Sequence, residues 1–343
     1  SGYFQCTNRN KYSVAMDITQ PEAQALLHDM VKTADIVIEN YKVGSLLKYG
    51  LDYATLSALN PRLIYCSITG FGQDGPRADE PGYDFIIQGM SGLMSITGES
   101  DDVIGGGAQK VGVAVVDIQT GLYATIAIQA ALLARHNTGK GQYIDISLLD
   151  VQVAGLANQG MNFLTAGKVP KRMGNKHPNI VPYQTFKARD KEFIIACGND
   201  KQFRDLCQAI DYPQLAQNEK FTKNQNRVNH REELTGLLSQ HFLANDAQHW
   251  VEAIYAVKVP VGVINSIEEA LNEPQIAHRN MVVNIPHPLN DDFKMLGSPI
   301  KLSDTPIEYK SAPPRLGEHT LKVLLQFTTA AEIDRLKNLN VIG

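Results

Sequence analysis

Gly139-Lys-Gly-Gln-Tyr-Ile-Asp-Ile-Ser-Leu-Leu-Asp150, running on into Val151-Gln-Val-Ala-Gly-Leu-Ala157, is the stretch that decides the fold. Gly139-Lys140-Gly141 reads as a turn. Tyr143 to Ile146 alternates and is rich in β-branched residues, which predicts a short strand. Ser147 opens an apolar run of helical period that is expected to reach about Phe163. Asp150 therefore falls in the first turn of a largely apolar helix, just past the end of a strand, where ligands gather in open α/β sheets. The free N–H groups of such a turn favour an anion, so the carboxylate is expected to be ionised. In a partly apolar pocket it would be a usable nucleophile. Ser147-x-x-Asp150 is equally a capping box, so these residues alone leave capping and catalysis both open.

The rest of the chain sets the context. Upstream, Ser13 to Met16 reads as a strand, Pro21 as a helix start, and Gln24 to Ala34 as an amphipathic helix. Asp35-Ile-Val-Ile-Glu-Asn40 follows as a buried strand, and strand–helix–strand in this order implies a parallel sheet. Leu63 to Ile68 is the next strand. It runs into Thr69-Gly-Phe-Gly72 and a polar loop containing Arg77, the position of a ligand rim in a parallel sheet. Tyr83 to Met94 reads as a helix and Gly105 to Gly107 as a flexible segment. Ala114 to Arg135 is a long, nearly charge-free helix with apolar residues on most faces, suited to a large core or an oligomer interface. Beyond Ala166 the character changes. Gly167 to Pro182 is rich in Lys, Pro, Gly and Asn and reads as a linker or exposed binding loop. Hairpins at Val181 to Cys197 and Met281 to Leu296, with helices between them, describe an α+β part. Pro299 to Pro314 is an extended return, and two helices close the chain.

With 343 residues, 43% hydrophobic and 20% charged, the chain has ordinary globular composition and room for one large domain or two smaller ones. A net charge of −4 and a pI near 6.1 give no support for nucleic acid as a partner. No apolar run is read as a membrane span. The four cysteines lack metal-ligand spacing, and Cys66 and Cys197 lie in apolar strands. That usage fits a reducing compartment, the cytoplasm or a mitochondrial matrix. No GxxxxGK[ST] motif supports a P-loop site, and no H-x-x-H spacing supports a metal.

Seven short motifs stand in series: Asn8-Arg-Asn-Lys11, Ile36-Val-Ile-Glu-Asn-Tyr41, Asn60-Pro-Arg62, Gly70-Phe-Gly72 with Gly75-Pro76, Tyr83-Asp84 to Gly92, Thr138-Gly-Lys-Gly141 with Ile144-Asp145, and Leu316-Gly-Glu-His-Thr320. In order and spacing the chain resembles the class III coenzyme A transferase family, which includes formyl-CoA and carnitine CoA-transferases and alpha-methylacyl-CoA racemase. The segment Gly174 to Phe186 is most similar to the succinyl-CoA:glutarate branch. The resemblance implies an α/β fold: a Rossmann-like, coenzyme A-binding large domain from residues 1–182 and 299–343, with an inserted small α+β domain at 183–298. It also implies an interlocked homodimer. Family members carry some dozens of residues before the Asn-Arg-Asn-Lys motif, so an inactive, truncated CoA-binding dimer is one alternative reading. A 2-methylacyl-CoA racemase using the same aspartate as acid/base is another.

By resemblance, Asp150 is the expected nucleophile and Asp145 its rival. Coenzyme A is the co-substrate, with Asn40 and Tyr41 near the nucleotide, Lys48 near phosphate, Met16 near the adenine and Tyr83 lining the thioester site. Tyr83 stands where the racemase branch has histidine, which favours transfer. A dicarboxylate acceptor needs a cationic or hydrogen-bonding partner for its distal carboxylate; His177, Lys176 and Tyr183 are the candidates, with Arg77 behind them. Backbone N–H groups of Gly105 to Gly107 are candidates for an oxyanion site. The chemistry needs no metal.

Overall fold

Three parallel strands form the sheet at the carboxyl ends of which the candidate residues gather: β1 Ile36–Glu39, β2 Ile64–Thr69 and β3 Tyr143–Ser147, in the order β1-β2-β3. The register places Glu39 beside Ser67 and Ser67 beside Asp145. The structure is a computed structural model and describes residues 1–343. The chain forms two compact units, one from Ser1–Leu93, Val111–Met161 and Leu271–Gly343, the other from Met94–Lys110 and Asn162–Ala270.

In the first unit β2 is the central strand, and Ile64, Tyr65 and Cys66 on it are buried. Ile64 and Cys66 face the helix Val115–Thr138 through Ala124, Ile128 and Ala131. Tyr65 faces the opposite layer, with Val31 from the helix Pro21–Val31 and Leu56 from the helix Tyr53–Leu59. Alternation along a strand sends successive side chains to opposite faces, so one strand organises both layers. Arg135, near the end of the long helix, anchors the sheet's other end: its guanidinium donates to the carbonyl of Arg62 (2.9 Å) and to the Asp35 carboxylate (2.7 Å).

The long helix has the length and composition of a membrane span, contrary to the sequence reading. Its packed face is that of a core helix: Val116, Thr120, Ala124, Ile128, Ala131 and Arg135 are buried at helical spacing. Ile118, Leu122, Ile126 and Leu133 are exposed.

Two local expectations differ. Ser13 to Met16 forms no strand; Met16 makes a single antiparallel bridge to Ile342. The run after Ser147 breaks into two helices, Leu148–Ala154 and Ala157–Ala166. Gly155 sits at the break, where a Cβ would come within 3.0 Å of the Gln119 side-chain oxygen, and Ala157 adopts a left-handed φ of 46°. Hydrophobic period alone does not register such a turn.

The second unit holds an antiparallel sheet of β4 Tyr183–Lys187, β5 Glu192–Ala196 and β6 Val261–Val263, with β5 central. The boundary differs from the sequence reading. Residues 162–182 belong here because backbone bonds lace them in: Gly174 donates to Gly98 and His177 to Tyr183. The last hairpin, β7 Val282–Asn284 and β8 Lys294–Leu296, belongs to the first unit. The second core packs Phe186, Phe193, Phe203, Phe242 and Trp250. Within it lies Arg227, fully buried, donating to the carbonyls of Val181 (2.6 Å) and Phe221 (2.8 Å) and to Asp200 (2.9 Å), with its guanidinium over the Phe203 ring.

Removing one partner of a buried charge network leaves the others desolvated and unpaired. Arg227→Leu is therefore expected to cost about 3–5 kcal/mol. Urea unfolding followed by fluorescence of Trp250, the chain's single tryptophan, reads this unit directly. An unchanged midpoint would refute the argument.

Candidate active site

A cleft of about 420 Å³ opens at the carboxyl ends of β1 and β2, lined by Asn40, Tyr41, Thr69, Gly70, Pro81 and Tyr83 among others. This is the end of a parallel sheet at which ligands bind. The Asn40 amide donates to the carbonyl of Ile68 at 2.6 Å, which ties the ends of β1 and β2 together. The Tyr41 amide donates to Glu39 at 2.8 Å and leaves the ring exposed. Tyr83 is the N-cap residue of the helix Asp84–Met90, and its ring is 74% exposed, free to meet a ligand. The loop between β2 and this helix closes where Gly70 meets Gly82; a Cβ on either would lie 2.5 Å from the other's backbone.

The structure thus brings three expected coenzyme residues, Asn40, Tyr41 and Tyr83, into one cleft. Lys48 and Met16 do not line it. The Lys48 ammonium lies 4.6 Å from the Tyr49 ring centre. Met16 packs on the apolar cluster of Leu324, Ile333, Leu336 and Val341, which accounts for its side chain without a ligand.

The carboxylates divide by environment. Asp145 accepts from the amide of Gln73 at 3.1 Å and so holds the loop that follows β2. Ser147 caps its helix by accepting from the Asp150 amide at 3.0 Å. The reciprocal half of the expected capping box is not formed: the Asp150 carboxylate makes no hydrogen bond or ion pair and is exposed rather than pocketed. Asp150 is nonetheless near the cleft, since the amide of Leu149 donates to the Gly70 carbonyl at 3.1 Å.

Sequence reasoning passed over Asp117. It lies in the first turn of Val115–Thr138, where the helix dipole favours negative charge. Its neighbour Val116 donates its amide to Asp84 at 2.8 Å, one residue from Tyr83. The residue is exposed, but partial desolvation and then the nearby Asp84 charge hold its carboxyl above the ordinary value of 3.8. Perturbed acids of this kind concentrate at functional sites. The signal in the sequence was a lone acid within an almost charge-free helix.

The acceptor candidates lie in the second unit, and each is already engaged there. Lys176 pairs with Glu232 at 3.0 Å. His177 accepts at Nδ1 from the Asn179 amide, and its ring lies 5.0 Å from that of Tyr183. Burial, then the Arg231 charge, push the imidazole below its usual range, so it is a neutral hydrogen-bonding group rather than a cation. Arg77, in the first unit, pairs with Glu80 at 2.7 Å. In the glycine segment, Gly106 and Gly107 already donate their amides to Val103 and Glu99. Two of the three expected oxyanion donors are therefore used within their own loop.

The family model described as CoA-transferase family III matches residues 1–320. The chain is 47% identical over 329 residues to a succinate–glutarate CoA-transferase of Agrobacterium fabrum, covering 96% of this chain and 81% of that protein. It is 38% identical over 324 residues to the human succinyl-CoA:glutarate CoA-transferase, covering 94% and 73%. Its fold superposes with a TM-score of 0.84 on a CAIB/BAIF family protein from Brucella suis, 46% identical, over 96% of this chain and 84% of that one. With a family match along nearly its whole length and relatives this similar, the chain belongs to the class III CoA-transferase family.

Proposed function

We propose that the protein moves CoA from an acyl-CoA donor such as succinyl-CoA to a small dicarboxylic acid of glutarate type, through a covalent intermediate on Asp150. The names of the relatives support the donor and acceptor class. The observation that favours Asp150 is its place in the first turn of the helix after β3, at the rim of the cleft, where its carboxylate makes no hydrogen bond or ion pair and is open to a bound thioester.

The chemistry then runs without change in oxidation state. A carboxylate oxygen adds to the thioester carbonyl, the C–S bond breaks, and CoA thiolate leaves an acyl-aspartyl anhydride. The thiolate attacks the aspartyl carbonyl, expelling the donor carboxylate and leaving an aspartyl-CoA thioester. The acceptor carboxylate attacks that thioester and releases the thiolate again. The thiolate then takes the acceptor's acyl group and frees the aspartate. Both covalent intermediates hydrolyse in water, so the reacting carbonyl must be shielded. Tyr83, exposed in the cleft of the free protein, is the side chain placed to close over bound thioester. Asp117, in the first turn of Val115–Thr138, is the alternative carrier.

Three measurements test this. Hydroxylamine trapping after incubation with succinyl-CoA, followed by peptide mapping, is expected to mark Asp150; a mark on Asp117 instead would transfer the role. Asp150→Asn is expected to lower kcat at least about a thousandfold, as loss of a nucleophile does, while Asp117→Asn stays within a few-fold. Deuterium exchange at the α-carbon of an acyl-CoA, without any acceptor acid, would point to racemisation.

The raised Asp117 group also predicts a stability effect. The folded state binds this proton more tightly than the unfolded chain, so its contribution to stability is present below pH 3.8 and is lost as pH rises through the folded value. Asp117→Asn is therefore expected to melt higher than the parent at pH 7, with the gap narrowing as pH falls toward 4. A lower Tm for the variant at pH 7 would contradict the assigned environment.

A further inference from the structure

Residues 70–83 leave the end of β2, return to the helix Asp84–Met90 and supply most of the residues that line the cleft. An irregular segment of this kind orders only at the cost of its conformational entropy, so what ties it down matters. Many of its ties are internal. Ala78 donates its amide to the Gly75 carbonyl, Glu80 donates to Arg77, and the Arg77 guanidinium pairs with Glu80. These bonds shape the loop without fixing it to the sheet. Two bonds fix it, from β3 and from the helix that follows β3. The Leu149 amide donates to the Gly70 carbonyl at 3.1 Å. Asp145 Oδ2 accepts from the Gln73 amide at 3.1 Å. Between these points Gly72 takes a left-handed φ of 97° and donates its amide to the Thr69 hydroxyl at 3.0 Å, which turns the chain toward β3. Beyond Thr69, where the loop begins, Asp145 is the one outside side chain bonded to it.

We infer that Asp145 is a positioning residue for the coenzyme cleft: its carboxylate pins the loop at Gln73, and through the loop it sets where the cleft wall and Tyr83 meet bound acyl-CoA. This rests on the reading of the cleft as the acyl-CoA site, and is independent of which aspartate carries the acyl group. Asp145 does not itself line the cleft. Its reach follows from the sheet register, which sets it beside Ser67 on β2, two residues before Thr69. A carboxylate that accepts from a backbone N–H makes a stronger anchor than a neutral acceptor. The far end of the loop is placed in turn by the backbone contact of Gly82 with Gly70, so the pin at Gln73 acts on a closed ring of chain.

Two variants and two readouts test the inference. The first readout is amide hydrogen exchange of residues 70–83 in the free protein. The second is CoA binding, together with turnover of succinyl-CoA and glutarate. Asp145→Leu keeps the volume and removes the acceptor. Exchange in the loop is expected to speed up at least about 10-fold, as loss of a bond to a charged group allows. The Kd for CoA and the KM for succinyl-CoA are expected to rise about 10-fold or more, as displacement of a binding wall does. Asp145→Asn keeps an oxygen that accepts from Gln73 and is expected to stay within about threefold of the parent in both readouts. A Leu variant that exchanges and binds like the parent would overturn the inference. So would equal loss of turnover in both variants with loop exchange unmoved, since the negative charge itself would then be what the reaction needs. Should Asp145→Leu fail to fold, the parent decides: its Gln73 amide is expected to exchange slowly, and exchange at the rate of an exposed amide would refute the pin. A parent that transfers CoA to glutarate while the Leu variant matches it loses the positioning role and keeps the proposed function. A parent that binds no CoA loses the reading of the cleft, and the positioning role with it.

Discussion

The burial of β2 on both faces and its hydrogen bonding along both edges is the constraint on which the first unit depends. Ile64 and Cys66 lean on the long helix, and Tyr65 leans on the layer opposite. β1 and β3 are held in register against it. Because the pairing is parallel, all three carboxyl ends open on one side, and the loops that leave them must converge there. Asn40 tightens that end by bonding β1 to β2, and the close approach of Gly70 and Gly82 folds the next loop back over it. The cleft follows from strand direction.

In the first unit four aspartates meet different surroundings. Asp145 is spent on the Gln73 amide, Asp84 on a helix that lacks its own cap, and Asp150 stands free in solvent. Asp117, though exposed, combines a helix start, partial desolvation and a like charge nearby. The residue type is the same throughout. What differs is the number of N–H donors each carboxylate meets and how much water remains around it.

The second unit shows the same economy in a polar network. Arg227 is a fully buried cation, tolerable because two carbonyls and Asp200 satisfy it. Next to this network, the loop bearing Lys176 and His177 is tied down by an ion pair with Glu232, by the Asn179 amide and by Arg231 donating to the His177 carbonyl. Two of the loop's cations, Arg172 and Lys176, are therefore already paired, with Asp101 and Glu232. A count of basic residues in a loop does not measure the charge left over for a ligand.

By itself the sequence determined the α/β class, the parallel sheet, the hairpins and the family, because period, turn residues and motif order are local properties. By resemblance it also named Asn40, Tyr41 and Tyr83, which share one cleft in the structure. Tertiary structure alone decided the rest. It broke the helix at Gly155, where the Gln119 side chain packs too closely for a Cβ, and turned Met16 from a strand residue into a contact of the C-terminal cluster. It moved the unit boundary, which depends on bonds between segments distant in sequence. It also set the Asp117 carboxyl apart from its neighbours. Spacing after a strand marks a carboxylate as available, but desolvation and a neighbouring charge arise only when helices from separate parts of the chain pack together.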